Sequence, residues 1–285
     1  MTKYTKRQLA PLTFKGEPLE ASFFYCPEVD YLGTLLYFHG GGLIFGQRDD
    51  LPEVYLEMLT QAGYGLLSLD YPLAPESQLA DILQVVKDWG NWWLSEGPAS
   101  LDLPDKLPCY PMGRSAGGYL ATYLMTKREG FAGLISLYGY YNLNDASFKV
   151  PAREFLKYPK VNPQIIDQLV GEEPIFQGPM DQRYPIYLAS RQDGSWMDQV
   201  IGSDHTASDF SISKDALGRI PQAFIAAAKQ DPDVPSRQSR QMAANILNSE
   251  LEIIDSQEHD FDRTQVEELG IPLYQQLIEW LRTSN

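Results

Sequence analysis

The chain has few residues of several kinds that mark other classes of protein. It contains 2 cysteines in 285 residues, too few for the disulfide framework of a small secreted protein. We expect Cys26 and Cys109 to be buried free thiols, because each lies in an apolar, strand-like segment. No run approaches the ~18–20 consecutive apolar residues of a membrane span. The polar start, MTKYTKRQLA, does not resemble a secretory signal. These features favour a cytoplasmic protein without stable membrane insertion.

Positive charge is also scarce. The sequence has 23 Lys and Arg against 38 Asp and Glu, which gives a net charge of −15 at pH 7. Such a surface repels the phosphates of nucleic acids and the headgroups of anionic lipids. We therefore expect a small-molecule partner rather than a nucleic acid. The sequence leaves open whether the chain forms a homodimer.

Short apolar runs alternate with helical segments through most of the chain. This alternation predicts an α/β fold with a mostly parallel central sheet and helices on both faces. Two N-terminal runs, PLTF and EASFFYC, have no helix between them and predict an antiparallel hairpin at the sheet edge. The predicted strands lie within residues 33–42, 64–75, 107–113, 131–140, 220–230 and 250–255. The predicted helices lie within residues 51–63, 77–95, 115–130, 236–248 and 263–282.

One segment interrupts this alternation. Residues 140–215 are rich in aromatic, proline and polar residues and contain only short helical patterns. A structureless loop of this length is uncommon in a compact domain. We interpret the segment as a mainly helical lid inserted over the carboxyl edge of the sheet. The core of the α/β fold would then comprise residues 1–139 and 216–285.

The segment GRSAG places Ser115 between two glycines, directly after a predicted strand and before a predicted helix. Small residues on both sides allow a sharp strand-to-helix turn that lifts the serine hydroxyl out of the sheet. The adjacent helix N-terminus favours developing negative charge. Ser115 is therefore a candidate nucleophile.

A serine nucleophile needs a base, and the chain has only 3 histidines. His39 opens a glycine loop and His205 lies in the predicted lid. His259 follows the last predicted strand, where it can face Ser115 from a strand end. We therefore predict that His259 is the base and that His205 is a surface residue.

The base in turn needs a carboxylate that fixes its tautomer. Asp231 and Asp233 both follow a predicted strand in KQDPDVP. We favour Asp231, because Pro232 holds it in an extended conformation, although Asp233 and plain turn formation stay open. The order Ser115, Asp231, His259 is the order of an α/β-hydrolase triad.

The segment HGGG at 39–42 follows a predicted buried strand. Three consecutive glycines expose backbone N–H groups, which suit the oxyanion of an acyl-transfer intermediate. A phosphate-binding loop is disfavoured, because the Lys-Ser/Thr ending and the GxGxxG pattern are both absent. No His, Cys and Asp residues have metal-ligand spacing.

The segments HGGGLIFG, DYPLAPE and GRSAGGYL together resemble the hormone-sensitive-lipase-like esterase branch of the α/β-hydrolase superfamily. The resemblance implies an α/β-hydrolase fold and a triad of Ser115, Asp231 and His259. It also implies an oxyanion hole formed by the amides of three residues, Gly41, Gly42 and Ala116. The implied activity is hydrolysis of carboxylic esters with short to medium acyl chains, without a cofactor or metal.

Several positions depart from the pattern of that branch. Arg114 stands where the branch usually has Asp, Pro72 replaces an Arg, and EHDF replaces the usual histidine-glycine-phenylalanine. Only about 38 residues precede the glycine loop, so we expect the lid to come from the central insertion. Two alternatives to an esterase remain. One is an amide or peptide hydrolase on the same triad, and the other is a non-catalytic small-molecule receptor on this fold.

Other side chains have two interpretations. Asp70 and Glu76 in DYPLAPE are expected to be structural supports near the oxyanion loop. An aromatic set, which either lines the pocket or packs in the core, comprises Tyr138, Tyr140, Tyr141 and Trp196.

Overall fold

A computed structural model describes residues 4–104 and 106–284. Over these residues the chain forms eight strands in one sheet and twelve α-helices. The strands are β1 (Thr5–Phe14), β2 (Glu17–Tyr25), β3 (Gly33–Phe38), β4 (Tyr64–Leu69), β5 (Cys109–Arg114), β6 (Leu134–Leu137), β7 (Ala223–Ala228) and β8 (Ser249–Ile254). The helices are α1 (Glu53–Gln61), α2 (Leu79–Ser95), α3 (Gly97–Ser100), α4 (Ala116–Lys127), α5 (Pro163–Leu169), α6 (Met180–Asp193), α7 (Trp196–Ile201), α8 (Ala207–Phe210), α9 (Lys214–Leu217), α10 (Arg237–Asn245), α11 (Phe261–Thr264) and α12 (Ile271–Thr283).

The sheet has the strand order β1-β2-β4-β3-β5-β6-β7-β8. Strands β1 and β2 form the predicted antiparallel hairpin, and β2 pairs antiparallel with β4. All pairs from β4 through β8 are parallel. The carboxyl ends of β3, β5 and β7 therefore share one edge, and the HGGG segment, Ser115 and Asp231 follow those three ends.

The two faces of the sheet bury separate apolar cores. Along β3, Leu36 and Phe38 join one core while Leu35 and Tyr37 join the other, as expected from the two-residue repeat of a strand. The first core contains α2 and α4, and the second contains α1 and α12. Strands β3 to β7 are fully buried between these cores, which explains their continuous apolar runs. The predicted α/β-hydrolase fold with helices on both faces is confirmed.

Helix α2 shows how sequence spacing determines which side of a helix is buried. Its buried positions include Leu79, Ile82, Val86, Trp89 and Trp93, a spacing of three or four residues that places them on one side. The indole of Trp89 also donates a hydrogen bond to the backbone oxygen of Asp70 at 2.7 Å. This bond fixes the helix to the segment after β4.

Asp70 and Glu76 are structural supports, as predicted. Asp70 is buried and accepts a hydrogen bond from Arg48 at 2.7 Å. Glu76 accepts from Arg183 of α6 at 2.7 Å, and Arg183 also donates to the backbone oxygen of Ile44, just after the glycine loop. The Glu76–Arg183 pair therefore connects α6 to the segment just after the glycine loop.

The segment between β6 and β7 contains helices α5–α9 and two 3₁₀ turns, Ala146–Phe148 and Phe155–Lys157. The fourteen-residue helix α6 was not predicted from the sequence. Its residues mix polar and aromatic side chains, and Pro185 lies inside it, so no apolar periodicity marks it. The boundaries 140 and 215 for a separate lid stay a prediction.

Two expectations were wrong. The predicted final helix over 263–282 is broken: α11 ends at Thr264, a π-helical turn spans Val266–Gly270, and α12 starts at Ile271. Pro272 explains the restart, since proline fits the first turn of a helix but not its interior. Both cysteines are free and Cys109 is buried, but Cys26 is partly exposed because β2 ends at Tyr25.

Among the described helices, none has the length and apolar character needed to cross a bilayer.

Candidate active site

Ser115 lies between β5 and α4 in a backbone conformation that side chains rarely adopt. Its φ is 53° and its ψ is −118°, which costs about 1–3 kcal/mol for a residue other than glycine. The N–H of Ser115 donates to the backbone oxygen of Leu137 on β6 at 2.8 Å. The turn therefore presents the Ser115 hydroxyl at the carboxyl edge of the sheet, as predicted.

The glycines around Ser115 allow the elements to approach closely. A Cβ atom on Gly113 would lie 2.0 Å from the backbone of Gly117, and a Cβ on Gly117 would lie 1.9 Å from the backbone oxygen of Phe38. Gly40 also contacts the turn, since its Cβ position is 3.4 Å from the Cβ of Ser115. Helix α4 thus packs on β3 and β5 at distances that only glycine permits.

The structure brings Ser115, His259 and Asp231 into one hydrogen-bonded chain. Nε2 of His259 is 2.8 Å from Oγ of Ser115, and Nδ1 of His259 is 2.7 Å from Oδ2 of Asp231. An ionised carboxylate can only accept hydrogen bonds, so Nδ1 carries the proton. In the neutral imidazole, Nε2 then presents its lone pair to the serine hydroxyl.

The carboxylate of Asp231 is itself held in place. Its Oδ1 accepts hydrogen bonds from the backbone N–H groups of Asp233 and Val234, both at 2.9 Å. Its side chain is fully buried. This arrangement leaves Oδ2 for His259. Asp233 does not contact His259 by a hydrogen bond, and its carboxylate accepts from Tyr187 at 2.6 Å.

The pKa of His259 reflects two opposed effects. Burial lowers this pKa, but the charge and hydrogen bond of Asp231, with the charges of Asp233 and Asp260, outweigh burial and raise the pKa to about 9. The imidazolium form of His259 is therefore stabilised. The environment suits a group that gains a proton during a reaction.

The glycine loop approaches Ser115 with free backbone N–H groups. Within the described residues, the N–H groups of Gly41, Gly42 and Ala116 have no hydrogen-bond acceptor. Gly41 and Gly42 have φ values of 107° and 61°, a region that favours glycine. Ala116 is the first residue of α4, where an unpaired N–H is expected. These three amides are available to an anionic oxygen.

Residues of the segment between β6 and β7 support the glycine loop. The indole of Trp196 donates to the backbone oxygen of Gly42 at 2.9 Å. The ring of Tyr187 occupies the space beside Gly42, where an added Cβ would lie 2.3 Å away. Tyr187 also binds Asp233, so one side chain contacts both the glycine loop and the loop that contains Asp231.

Asp233 has a buried cationic partner in Arg191 of α6. Their side chains are 3.1 Å apart, and that of Arg191 is 1% exposed. The guanidinium lies over the rings of three aromatic residues, 4.8 Å from Trp196, 5.5 Å from Phe155 and 5.9 Å from Phe148. This contact fixes α6 to the loop after β7.

A cavity of about 420 Å³ opens above Ser115 and His259. One wall is aromatic and consists of Phe45, Phe155, Tyr158, Tyr184 and Tyr187. Another wall is charged and consists of Asp50, Arg114, Asp260 and Arg263. Of the four aromatic residues with two interpretations, Tyr138 lines the cavity, whereas Tyr140, Tyr141 and Trp196 are buried in the core.

The other two histidines lie in different surroundings. The side chain of His205 is 43% exposed and lies 4.0 Å from Asp209, so it is a surface residue as predicted. His39 is buried and stacks on Tyr71, with ring centroids 4.3 Å apart.

Within the described part of the chain, no group of three or more His, Cys, Asp or Glu side chains is arranged to hold a metal ion.

Comparison with known proteins identifies the family of this chain. Residues 35–263 match the model of a family with the alpha/beta hydrolase fold. The chain belongs to this alpha/beta hydrolase family. Curated relatives match only locally: a non-reducing polyketide synthase of Aspergillus calidoustus is 35% identical over 119 residues, 38% of this chain. The chain spans about 5% of the length of that relative.

Solved structures match the hydrolase over nearly its whole length. A Staphylococcus aureus protein of unknown function is 29% identical, with a TM-score of 0.85 and 98% of each chain covered. An alpha/beta hydrolase superfamily protein from Enterococcus faecalis is 26% identical, with a TM-score of 0.84, and covers 99% of this chain and 100% of its own. An esterase of Pyrobaculum calidifontis shares the fold at 19% identity, with a TM-score of 0.67, 98% of this chain and 85% of its own.

Sequence reasoning missed several residues that shape the site. Tyr187 and Arg191 lie in a segment without apolar periodicity, so no local pattern marks them. Asp262 follows His259 closely in EHDFDR, and its spacing alone does not reveal a partner. Arg114 was noted as a departure, but its contacts depend on the folding of residues far apart in the chain.

We predict that Gly117→Ala destabilises the protein by about 1–3 kcal/mol, a typical cost of overpacking a tight contact. The added Cβ would lie 1.9 Å from the backbone oxygen of Phe38. Alanine is otherwise the better helix former by about 1 kcal/mol, so the sign of the effect is diagnostic. Urea unfolding measures it, with Gly171→Ala as the control because nothing lies near that Cβ. A more stable Gly117→Ala variant would contradict the close packing of α4.

Proposed function

We propose that this hydrolase cleaves carboxylic esters through an acyl-serine intermediate. The observation that carries the proposal is the chain from Asp231 through His259 to Ser115 beside three free amides. Family membership and the esterase among the structural neighbours support a carboxylesterase-type hydrolase. The substrate is a small molecule with a short to medium acyl chain, consistent with a cavity of about 420 Å³.

In the first half of the proposed reaction, Oγ of Ser115 attacks the carbonyl carbon while its proton moves to Nε2 of His259. The tetrahedral intermediate carries its negative charge on the former carbonyl oxygen. The amides of Gly41, Gly42 and Ala116 stabilise that oxyanion. His259 then gives its proton to the departing alcohol, which leaves the acyl group bonded to Ser115.

In the second half, water attacks the acyl-serine and gives its proton to His259. The second tetrahedral intermediate collapses, the proton returns to Oγ of Ser115, and the carboxylic acid leaves. Asp231 stays ionised throughout and stabilises the imidazolium. The proposed mechanism needs no cofactor or metal. A cytoplasmic location stays a prediction from the sequence, which leaves open whether the chain forms a homodimer.

We predict that Ser115→Ala lowers kcat for p-nitrophenyl esters by about 10⁴-fold or more, because the nucleophile is lost. The measurement compares acetate through decanoate, and matched anilides, for wild type and variant. The best acyl length reports the size of the pocket. Faster hydrolysis of the anilides would instead support an amide hydrolase. An equally active variant would contradict the role of Ser115, and a wild type inert toward both esters and anilides would favour a receptor on this fold.

We predict that kcat/KM rises with pH through a midpoint near pH 9 and reaches its plateau above that pH. His259 must be neutral to accept the serine proton, and its pKa is raised to about 9, so the protonated, inactive form persists at neutral pH. Three carboxylates, Asp231, Asp233 and Asp260, contribute to this shift.

The pH profile of kcat/KM measures this titration. Asp231→Asn removes the largest charge that raises the His259 pKa, so its residual activity should reach a plateau at lower pH. Asp233→Asn should move the profile in the same direction by less. A wild-type profile that is already flat between pH 6 and 7 would be inconsistent with a stabilised imidazolium.

A further inference from the structure

Arg114 and Asp262 form a buried ion pair that connects the nucleophile turn to the histidine loop. Nη2 of Arg114 lies 2.9 Å from Oδ1 of Asp262, and their side chains are 3% and 0% exposed. Arg114 directly precedes Ser115, and Asp262 follows His259 by three residues. The pair therefore joins the two segments that carry the proposed nucleophile and the proposed base.

Tyr138 completes a closed ring of hydrogen bonds with this pair. Its hydroxyl accepts from Nε of Arg114 at 2.6 Å and donates to Oδ1 of Asp262 at 2.8 Å. Burial raises the pKa of Tyr138, so the phenol keeps the proton that it donates. The phenol ring of Tyr138 lies edge-on to the imidazole of His259, with ring centroids 4.9 Å apart.

Further charged side chains lie beside the Arg114–Asp262 pair. Asp50 lies 3.5 Å from Arg114 and accepts from Arg263 at 2.9 Å and from Tyr37 at 2.6 Å. Arg263 also lies 3.8 Å from Asp260. The Arg263 side chain is partly exposed, whereas the side chains of Arg114 and Asp262 are almost completely buried.

We propose that the Arg114–Asp262 pair positions His259 against Ser115. This inference rests on the proposed function, since it assigns a role in that reaction. Arg114 and Asp262 act as positioning residues through Tyr138 and the histidine loop. A buried ion pair adds little net stability compared with apolar residues of similar size. Its location, one residue from Ser115 and three from His259, accounts for it better than stability alone.

The pair also gives a partner to Arg114, one of the departures noted in the sequence. Arg114 replaces an acidic residue that the resembled branch usually has before the nucleophile. Asp262, which directly follows the EHDF segment, supplies the matching carboxylate.

The test is the paired variant Arg114→Met/Asp262→Asn, which removes both charges and leaves no unpaired buried charge. We expect kcat for the best p-nitrophenyl ester to fall about 100-fold, as for a misplacement of ~1 Å between reacting groups. KM should stay within about threefold, because Ser115 and the oxyanion amides still bind the ester. Arg114→Lys keeps the charge but not the planar fork, so we expect a smaller fall in kcat and a stable fold.

A matched control is Arg48→Met/Asp70→Asn. This pair is also buried, since the side chains of Arg48 and Asp70 are 6% and 4% exposed. Nη1 of Arg48 lies 2.7 Å from Oδ2 of Asp70. It contacts none of the three residues Ser115, His259 and Asp231. We expect this control to change the urea midpoint but to leave kcat within about threefold of wild type.

A crystal structure of the Arg114→Met/Asp262→Asn variant tests the positioning role without an activity assay. We expect the Nε2–Oγ separation to exceed the 2.8 Å of the native enzyme and to pass the hydrogen-bond limit of about 3.5 Å. A folded variant with an intact His259–Ser115 hydrogen bond and wild-type kcat would overturn the inference. A wild type without esterase activity would instead refute the proposed function, while the crystal structure would still decide the positioning role.

Discussion

The site depends on one backbone conformation, that of Ser115. Its φ of 53° and ψ of −118° are unfavourable for any residue with a side chain. Three contacts hold it there: the hydrogen bond to Leu137, and the close packing at Gly113 and at Gly117. The parallel sheet thus fixes the hydroxyl at the edge where the loops after β3 and β7 also end. A small shift of helix α4 would move the hydroxyl and its neighbouring amide together.

Two buried charge clusters surround the imidazole of His259. On one side, Asp231 is held by backbone N–H groups, and Asp233 beside it is neutralised by Arg191. On the other side, Arg114 and Asp262 close the nucleophile turn onto the histidine loop. The buried carboxylates of Asp233 and Asp262 therefore each have a cationic partner. Asp231 is left as the carboxylate that binds the imidazole directly.

The fold and the hydrogen-bonded group of Ser115, His259 and Asp231 were predictable because local chemistry determines them. Apolar runs of fixed length identify buried strands, glycine patterns identify tight turns, and three histidines leave few candidates for a base. The side chains that support the glycine loop and the loop after β7 were not predictable. Tyr187, Arg191 and Trp196 act through contacts with residues at distant positions, and α6 lacks an apolar repeat. Asp262 likewise becomes important only when the histidine loop folds against Arg114.

The most direct test of the acyl-serine mechanism is whether an acyl group becomes attached to Ser115 during turnover. The measurement is rapid mixing with p-nitrophenyl butyrate, acid quenching within the first turnover, and mass spectrometry of the intact protein and its peptides. The acyl-serine mechanism predicts a mass increase equal to one butyryl group on the peptide that contains Ser115. It predicts no such increase in Ser115→Ala. Turnover without such an adduct, or an adduct on another residue, would contradict the acyl-serine mechanism.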